Sequence, residues 1–174
     1  MSLDAATKLV QLVPLSRPRS PDPPSRQVEI RLPPHQGGYP ALPDARTVAE
    51  YLCTYLGTVL ADPREHAYLL ALSSKSRLLC DPYLLSVGCD DQTLVDPRSV
   101  YRFALLTGAA QIILAHTHPS GDCRPSDVDV RMTQRITEAG VVLGITLADH
   151  LILAGCHRAP SDPVWVSLRM MGVM

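Results

Sequence analysis

The sequence predicts an α/β domain, a mixed β-sheet flanked by helices, and three observations predict it. Short apolar runs of strand length, such as EHAYLLAL and QIILAH, alternate along the chain with amphipathic stretches of helical period. Capping residues stand where those helical stretches begin, at Asp44, Asp96 and Ser126. The 174 residues, 46% apolar and 19% charged, suit one globular domain with a core of its own.

Residues 1–43 carry nine of the sixteen prolines, in strings such as PLSRPRSPDPPSR, which excludes a mostly helical segment or a central strand. This segment reads as a Pro-rich extended arm, within which the alternation in VEIRL predicts a strand added at a sheet edge. The domain proper spans 44–174. Asp44 caps a helix over ARTVAEYLCTYL that stops at Gly57, with Val48, Leu52, Tyr55 and Leu56 on the face that covers the sheet. From Glu65 the chain reads as two or three short strands, the first two joined by the polar turn SSKS. Asp96 and Pro97 then open a helix through VYRFALLTGAA. QIILAH follows as a strand buried on both faces. Ser126 caps the helix DVDVRMTQRITEAG, expected to end at Gly140 with Val128, Met132, Ile136 and Ala139 as its buried stripe. A strand in VLGITLADHLILAG and a short strand or turn in the tail complete the sheet.

Composition removes several function classes. No apolar run approaches the ~20 residues that cross a bilayer. The start MSLDAATKLVQL lacks the features of a secretory signal, which predicts a cytoplasmic, reducing setting. The five cysteines, Cys53, Cys80, Cys89, Cys123 and Cys156, are odd in number and contain no C-x-x-C pair, against both a disulfide framework and a cysteine-built zinc finger. The net charge is −1 and the only lysines are Lys8 and Lys75, so no basic excess supports a phosphate-binding surface.

The chemistry concentrates in AHTHPSGDCRPSDVDVRM, residues 115–132. On a strand, His116 and His118 share a face and Thr117 takes the other. Asp129, in the first turn of the next helix, can point back at them. Two imidazoles and a carboxylate make a three-ligand zinc set that leaves the fourth tetrahedral position open, as a catalytic site requires. Such a site needs a general base. Of the four glutamates, Glu29 lies in the arm, Glu50 on the polar side of the first helix and Glu138 at the far end of the helix that Asp129 begins. Glu65, at the start of a strand, is left as the candidate, with Asp122 in the loop as its rival; as a bare turn former, Asp122 would bond its own backbone. Ser126 has two readings: a helix cap in a capping box with Asp129, and a hydroxyl that stabilises the oxyanion of a tetrahedral intermediate.

Glu65 followed by HTHPSGDCRPSDVD has the form E…HxH…SxxD, with seven residues between His118 and Ser126 and two between Ser126 and Asp129. This resembles the JAMM motif of the JAB1/MPN metalloproteases. The wording HPSGD, the preceding AAQIILAH, the later LADHLILAG and the closing VSLRMMG resemble more narrowly the RadC-like JAB domain, over roughly residues 44–172. The resemblance implies a cytidine-deaminase-like α/β architecture, zinc held by His116, His118 and Asp129, Glu65 as the base that activates water and Ser126 as the hydroxyl that stabilises the intermediate. It also implies an amide-bond hydrolase acting on a protein or peptide, whose extended tail would lie as an added strand at the sheet edge. The alternatives are a partner-binding module without catalysis and a metal-dependent nucleic-acid-processing protein. RadC proteins carry a helix-hairpin-helix-like region where this sequence has its Pro-rich arm, and the arm offers no counterpart for a DNA role. Cys123 sits where a non-coordinating residue is expected; it is either a further thiol near the metal or an ordinary loop cysteine. Asp149 and His150 fall on opposite faces of their strand, so at most one faces the site, and a structural hydrogen bond is expected of each. Arg131 and Arg135 read as solvated helix surface, and Tyr68, Phe103 and Trp165 as packing residues.

Overall fold

The computed structural model describes residues 11–14, 28–31, 38–88, 95–155 and 163–174. Cys89, Cys156 and most of the Pro-rich strings lie outside the described residues. The chain divides into two compact units, residues 1–38 and 39–174. In the first, β1 (Gln11–Pro14) and β2 (Val28–Arg31) form an antiparallel pair, Leu12 opposite Ile30. Val28–Arg31 of VEIRL is thus a strand as the alternation predicts, with Leu32 outside the described residues, but it pairs with β1 in a two-stranded sheet of its own instead of the larger sheet. Alternation specifies an extended backbone and not its partner.

The second unit is a five-stranded mixed sheet in the order β4-β3-β5-β6-β7 with three helices. Its strands are β3 (Glu65–Leu72), β4 (Tyr83–Gly88), β5 (Gln111–His118), β6 (Thr146–Ala154) and β7 (Trp165–Ser167). Only β5 and β6 run parallel, and the crossover that a parallel pair needs is supplied by α3 (Asp127–Leu143). Helix α1 (Ala45–Leu56) packs on one face with Leu70, Leu72, Ile113, Ala115, Leu151 and Leu153. The other face carries α3 and α2 (Pro97–Thr107), which Tyr101 joins by donating its hydroxyl to the Ile136 carbonyl at 2.6 Å. Burying each core leucine contributes roughly 1.5–3 kcal/mol.

Local chemistry explains the helix ends. Asp44 accepts the Thr47 N–H and Gly57 closes α1; Asp96 accepts the Arg98 N–H with Pro97 in the first turn. Three expectations need correction. Tyr55 is 45% exposed, and Ala49 takes its place on the buried face of α1. Helix α2 stops at the left-handed Gly108 and does not run on through Ala110. Helix α3 passes through Gly140 to end at Gly144, and its buried stripe is Asp129, Thr133, Ile136 and Gly140, one residue out of phase with the apolar pattern. Val128 is 46% exposed, and Met132 and Ala139 are half-buried. Gly140 serves close packing: a Cβ there would collide with both the Tyr101 hydroxyl and the Ile145 carbonyl oxygen.

Candidate metal centre

The apolar run of β5 ends in the two histidines, and alternation aims both at the face that α3 covers. The N-terminus of α3 brings Asp129 to them. Here Ser126 and Asp129 make a full capping box: Asp129 N–H donates to Ser126 Oγ at 3.2 Å and Ser126 N–H to Asp129 Oδ2 at 2.8 Å. The Ser126 hydroxyl also donates to Asp129 Oδ2, at 2.7 Å. The box therefore orients the carboxylate as well as starting the helix.

The three groups form a triangle. His116 Nε2 and His118 Nε2 stand 2.9 Å apart, His116 Nε2 lies 3.2 Å from Asp129 Oδ1, and His118 Nε2 lies 3.7 Å from Asp129 Oδ2. Ligands about 2.0–2.1 Å from a tetrahedral ion are spaced by about 3.3 Å, so the donor atoms fit a first-row divalent cation. Among the described residues, no other group of three or more His, Cys, Asp or Glu side chains is arranged to hold a metal ion. Burial resists ionisation of Asp129, yet hydrogen bonds from His116 and Ser126 outweigh it and hold the carboxyl well below the usual carboxylate range.

A cleft of about 320 Å³ opens onto this triangle. It is lined by Glu65 and Ala67 of β3, by Ser126 and Ser120, and on an apolar side by Val95, Val128 and Met132. Ala67 pairs directly with His116, so Glu65, two residues back, lies on the same sheet face as the histidines. Glu65, Ser126, His116, His118 and Asp129 are thus brought to one cleft. Asp122 is not: its carboxylate is clamped by Arg124, which holds it down at about 2, while its carbonyl accepts His118 Nδ1 at 2.6 Å. Cys123 turns from the triangle into a small core with Ile152, Ala154 and Leu168.

Four further positions shape the surroundings of the triangle. Thr117 faces away from the triangle, but its hydroxyl accepts the His66 N–H at 3.0 Å and so ties the start of β3, where Glu65 sits, to β5. His150 faces inward and lies 2.8 Å from His116 Nδ1, with Thr133 behind it at 2.6 Å. Asp149, on the opposite face, accepts from the Ser167 hydroxyl and from the backbone of His150 and Arg169. Gly155 lets the end of β6 approach the histidine loop: its N–H donates to the His118 carbonyl at 2.8 Å, and a Cβ would stand 2.9 Å from the Pro119 Cα.

A family model for the RadC-like JAB domain matches residues 42–170, which include every residue of this cleft. The chain belongs to the RadC-like JAB domain family. Its mixed sheet and three helices are consistent with a JAB/MPN domain, as the motif implied. Curated relatives of the domain are UPF0758 proteins. That of Finegoldia magna is 38% identical over 114 residues, covering 66% of this chain and 49% of the relative. That of Desulforudis audaxviator is 36% identical over 131 residues, covering 75% and 54%. One from Listeria monocytogenes is 42% identical over 90 residues, covering 52% and 40%. The chain spans about half the length of the curated relatives it matches. Among the described residues no helix is long and apolar enough to cross a membrane.

Proposed function

We propose that this RadC-like domain is a zinc-dependent hydrolase of peptide or isopeptide bonds, seated in residues 44–174 with 1–43 as an arm. One observation carries the reading: the His116, His118 and Asp129 donors converge at the spacing of metal ligands, with Glu65 and Ser126 lining the same cleft. Two imidazoles and a carboxylate favour zinc among the first-row ions and would hold it through His116, His118 and Asp129. When bound, zinc supplies Lewis acidity that brings water to ionise near pH ~7. Glu65 takes the proton of the attacking water and returns it to the leaving amine. The Ser126 hydroxyl, bonded to Asp129 in the free protein, turns to the oxygen on which charge develops. Val95, Val128 and Met132 keep water from that side of the cleft and receive an apolar part of the substrate.

The substrate side is read from the sheet edge. Strand β4 is an edge strand and pairs with β3 at Glu65 and Gly88, beside the cleft. An extended protein or peptide tail laid along β4 would run past Glu65. Among the described residues no comparable feature favours nucleic acid.

A panel of peptide-linked and isopeptide-linked substrates tests this. Cleavage is expected in the zinc-loaded protein, abolished by a chelator and restored by zinc. Amide cleavage that survives complete metal removal would overturn the reading.

A further inference from the structure

A chain of three hydrogen bonds leads from the backbone of α3 to the triangle. Thr133 Oγ1 donates to the Asp129 carbonyl at 2.6 Å. His150 Nδ1 lies 2.6 Å from the same Oγ1, and His150 Nε2 lies 2.8 Å from His116 Nδ1. Thr133, His150 and His116 are 0%, 1% and 3% exposed, so water offers none of them a substitute partner.

Each link constrains the next. A hydroxyl has one proton and a carbonyl only accepts, so Oγ1, having given its proton to the Asp129 carbonyl, can only accept from His150. This puts a proton on His150 Nδ1. A buried imidazole is neutral and carries a single ring proton, which leaves His150 Nε2 bare and accepting. His116 must then carry a proton on Nδ1, so Nε2, 3.2 Å from Asp129 Oδ1, is the nitrogen left to offer a cation its lone pair. His118 reaches the same tautomer by a shorter route, its Nδ1 donating to the Asp122 carbonyl at 2.6 Å.

We infer that Thr133 is a positioning residue for the metal centre: its hydroxyl, acting through His150, sets the tautomer of His116 that exposes Nε2 as a ligand. The inference rests on the metal reading of the cleft. A metal-bound histidine commonly gives its other N–H to a carboxylate, carbonyl or water, groups that fix the direction of the bond or adapt to it. Here an imidazole intervenes, and an imidazole nitrogen can donate or accept. Without the Thr133 hydroxyl the chain reverses. His150 then carries its proton on Nε2 and donates to His116 Nδ1, and the His116 proton moves to Nε2, onto the lone pair that a cation needs.

The test compares the full chain with Thr133→Val, which keeps the shape and loses the hydroxyl, and Thr133→Ser, which keeps the hydroxyl. Zinc affinity is read by competition with a chromophoric chelator, and ring tautomers by long-range 1H–15N correlation on metal-free protein. Thr133→Val is expected to bind zinc about 10- to 100-fold more weakly, and Thr133→Ser to restore binding. His150 should carry its proton on Nδ1 in the unaltered chain and on Nε2 in Thr133→Val. Equal zinc affinity in the unaltered chain and Thr133→Val would overturn the inference and leave the metal reading standing. So would a Thr133→Ser variant as weak as Thr133→Val, or an Nε2 proton on His150 in the unaltered chain, which needs no variant to fold. An unaltered chain that binds no zinc overturns both.

Discussion

Glu65→Gln is expected to lower amide hydrolysis by about 10²- to 10⁴-fold while the protein keeps its zinc. The amide preserves the size and polarity of the side chain at the start of β3 but cannot take a proton from water. Glu65 is outside the triangle of His116, His118 and Asp129, so metal content should not change. The register supports the assignment: β3 pairs with β5 at Ala67 and His116, and Thr117 holds the next backbone N–H toward Glu65. Steady-state rates and metal analysis on one preparation check it. Full activity in zinc-loaded Glu65→Gln would remove Glu65 from the mechanism.

Asp149→Ala is expected to give the largest loss of stability, about 3 kcal/mol, or roughly 6–12 °C in Tm for a domain of this size. Its two buried carboxyl oxygens share the one proton of the Ser167 hydroxyl, at 2.9 and 2.7 Å, and accept one bond each from the His150 and Arg169 N–H groups. Those bonds pin β7 and the turn after it to β6. Alanine would strand these donors in a buried setting, which costs more than the bonds themselves contribute. Asp149→Asn keeps acceptor capacity on one oxygen and should lose less. Chemical denaturation of the three proteins measures the difference; an Asp149→Ala variant as stable as the unaltered chain would contradict this role.

The parts of the centre that obey a short-range rule were legible in the sequence. His116 and His118 share a face because strands alternate, and Ser126 with Asp129 forms a capping box because the spacing of three is that of a first helical turn. Excluding the other glutamates leaves Glu65, and β3 carries it to the cleft. What could not be read depended on contacts between distant segments. The phase of α3 departs from the apolar pattern because its buried face holds Asp129 and Thr133 for the site and Gly140 for Tyr101, polar or small residues that an apolar count assigns to the surface. Gly140 has the residue type of a helix end, but close packing on Tyr101 is what requires it. His150 and Thr133 lie 17 residues apart and meet through the β5–β6 pairing and the packing of α3, which no local pattern encodes. The alternation of Val28–Arg31 specifies a strand, but nothing in those residues names Gln11–Pro14 as the partner.

The central claim is that His116, His118 and Asp129 hold a metal ion, and metal analysis of the purified chain tests it most directly. The chain should be prepared without chelators beside His118→Ala and Asp129→Ala, with zinc, manganese and iron measured in each. About one zinc per chain in the unaltered protein and almost none in either variant is the predicted result. A metal-free unaltered chain, or zinc retained in both variants, would contradict it.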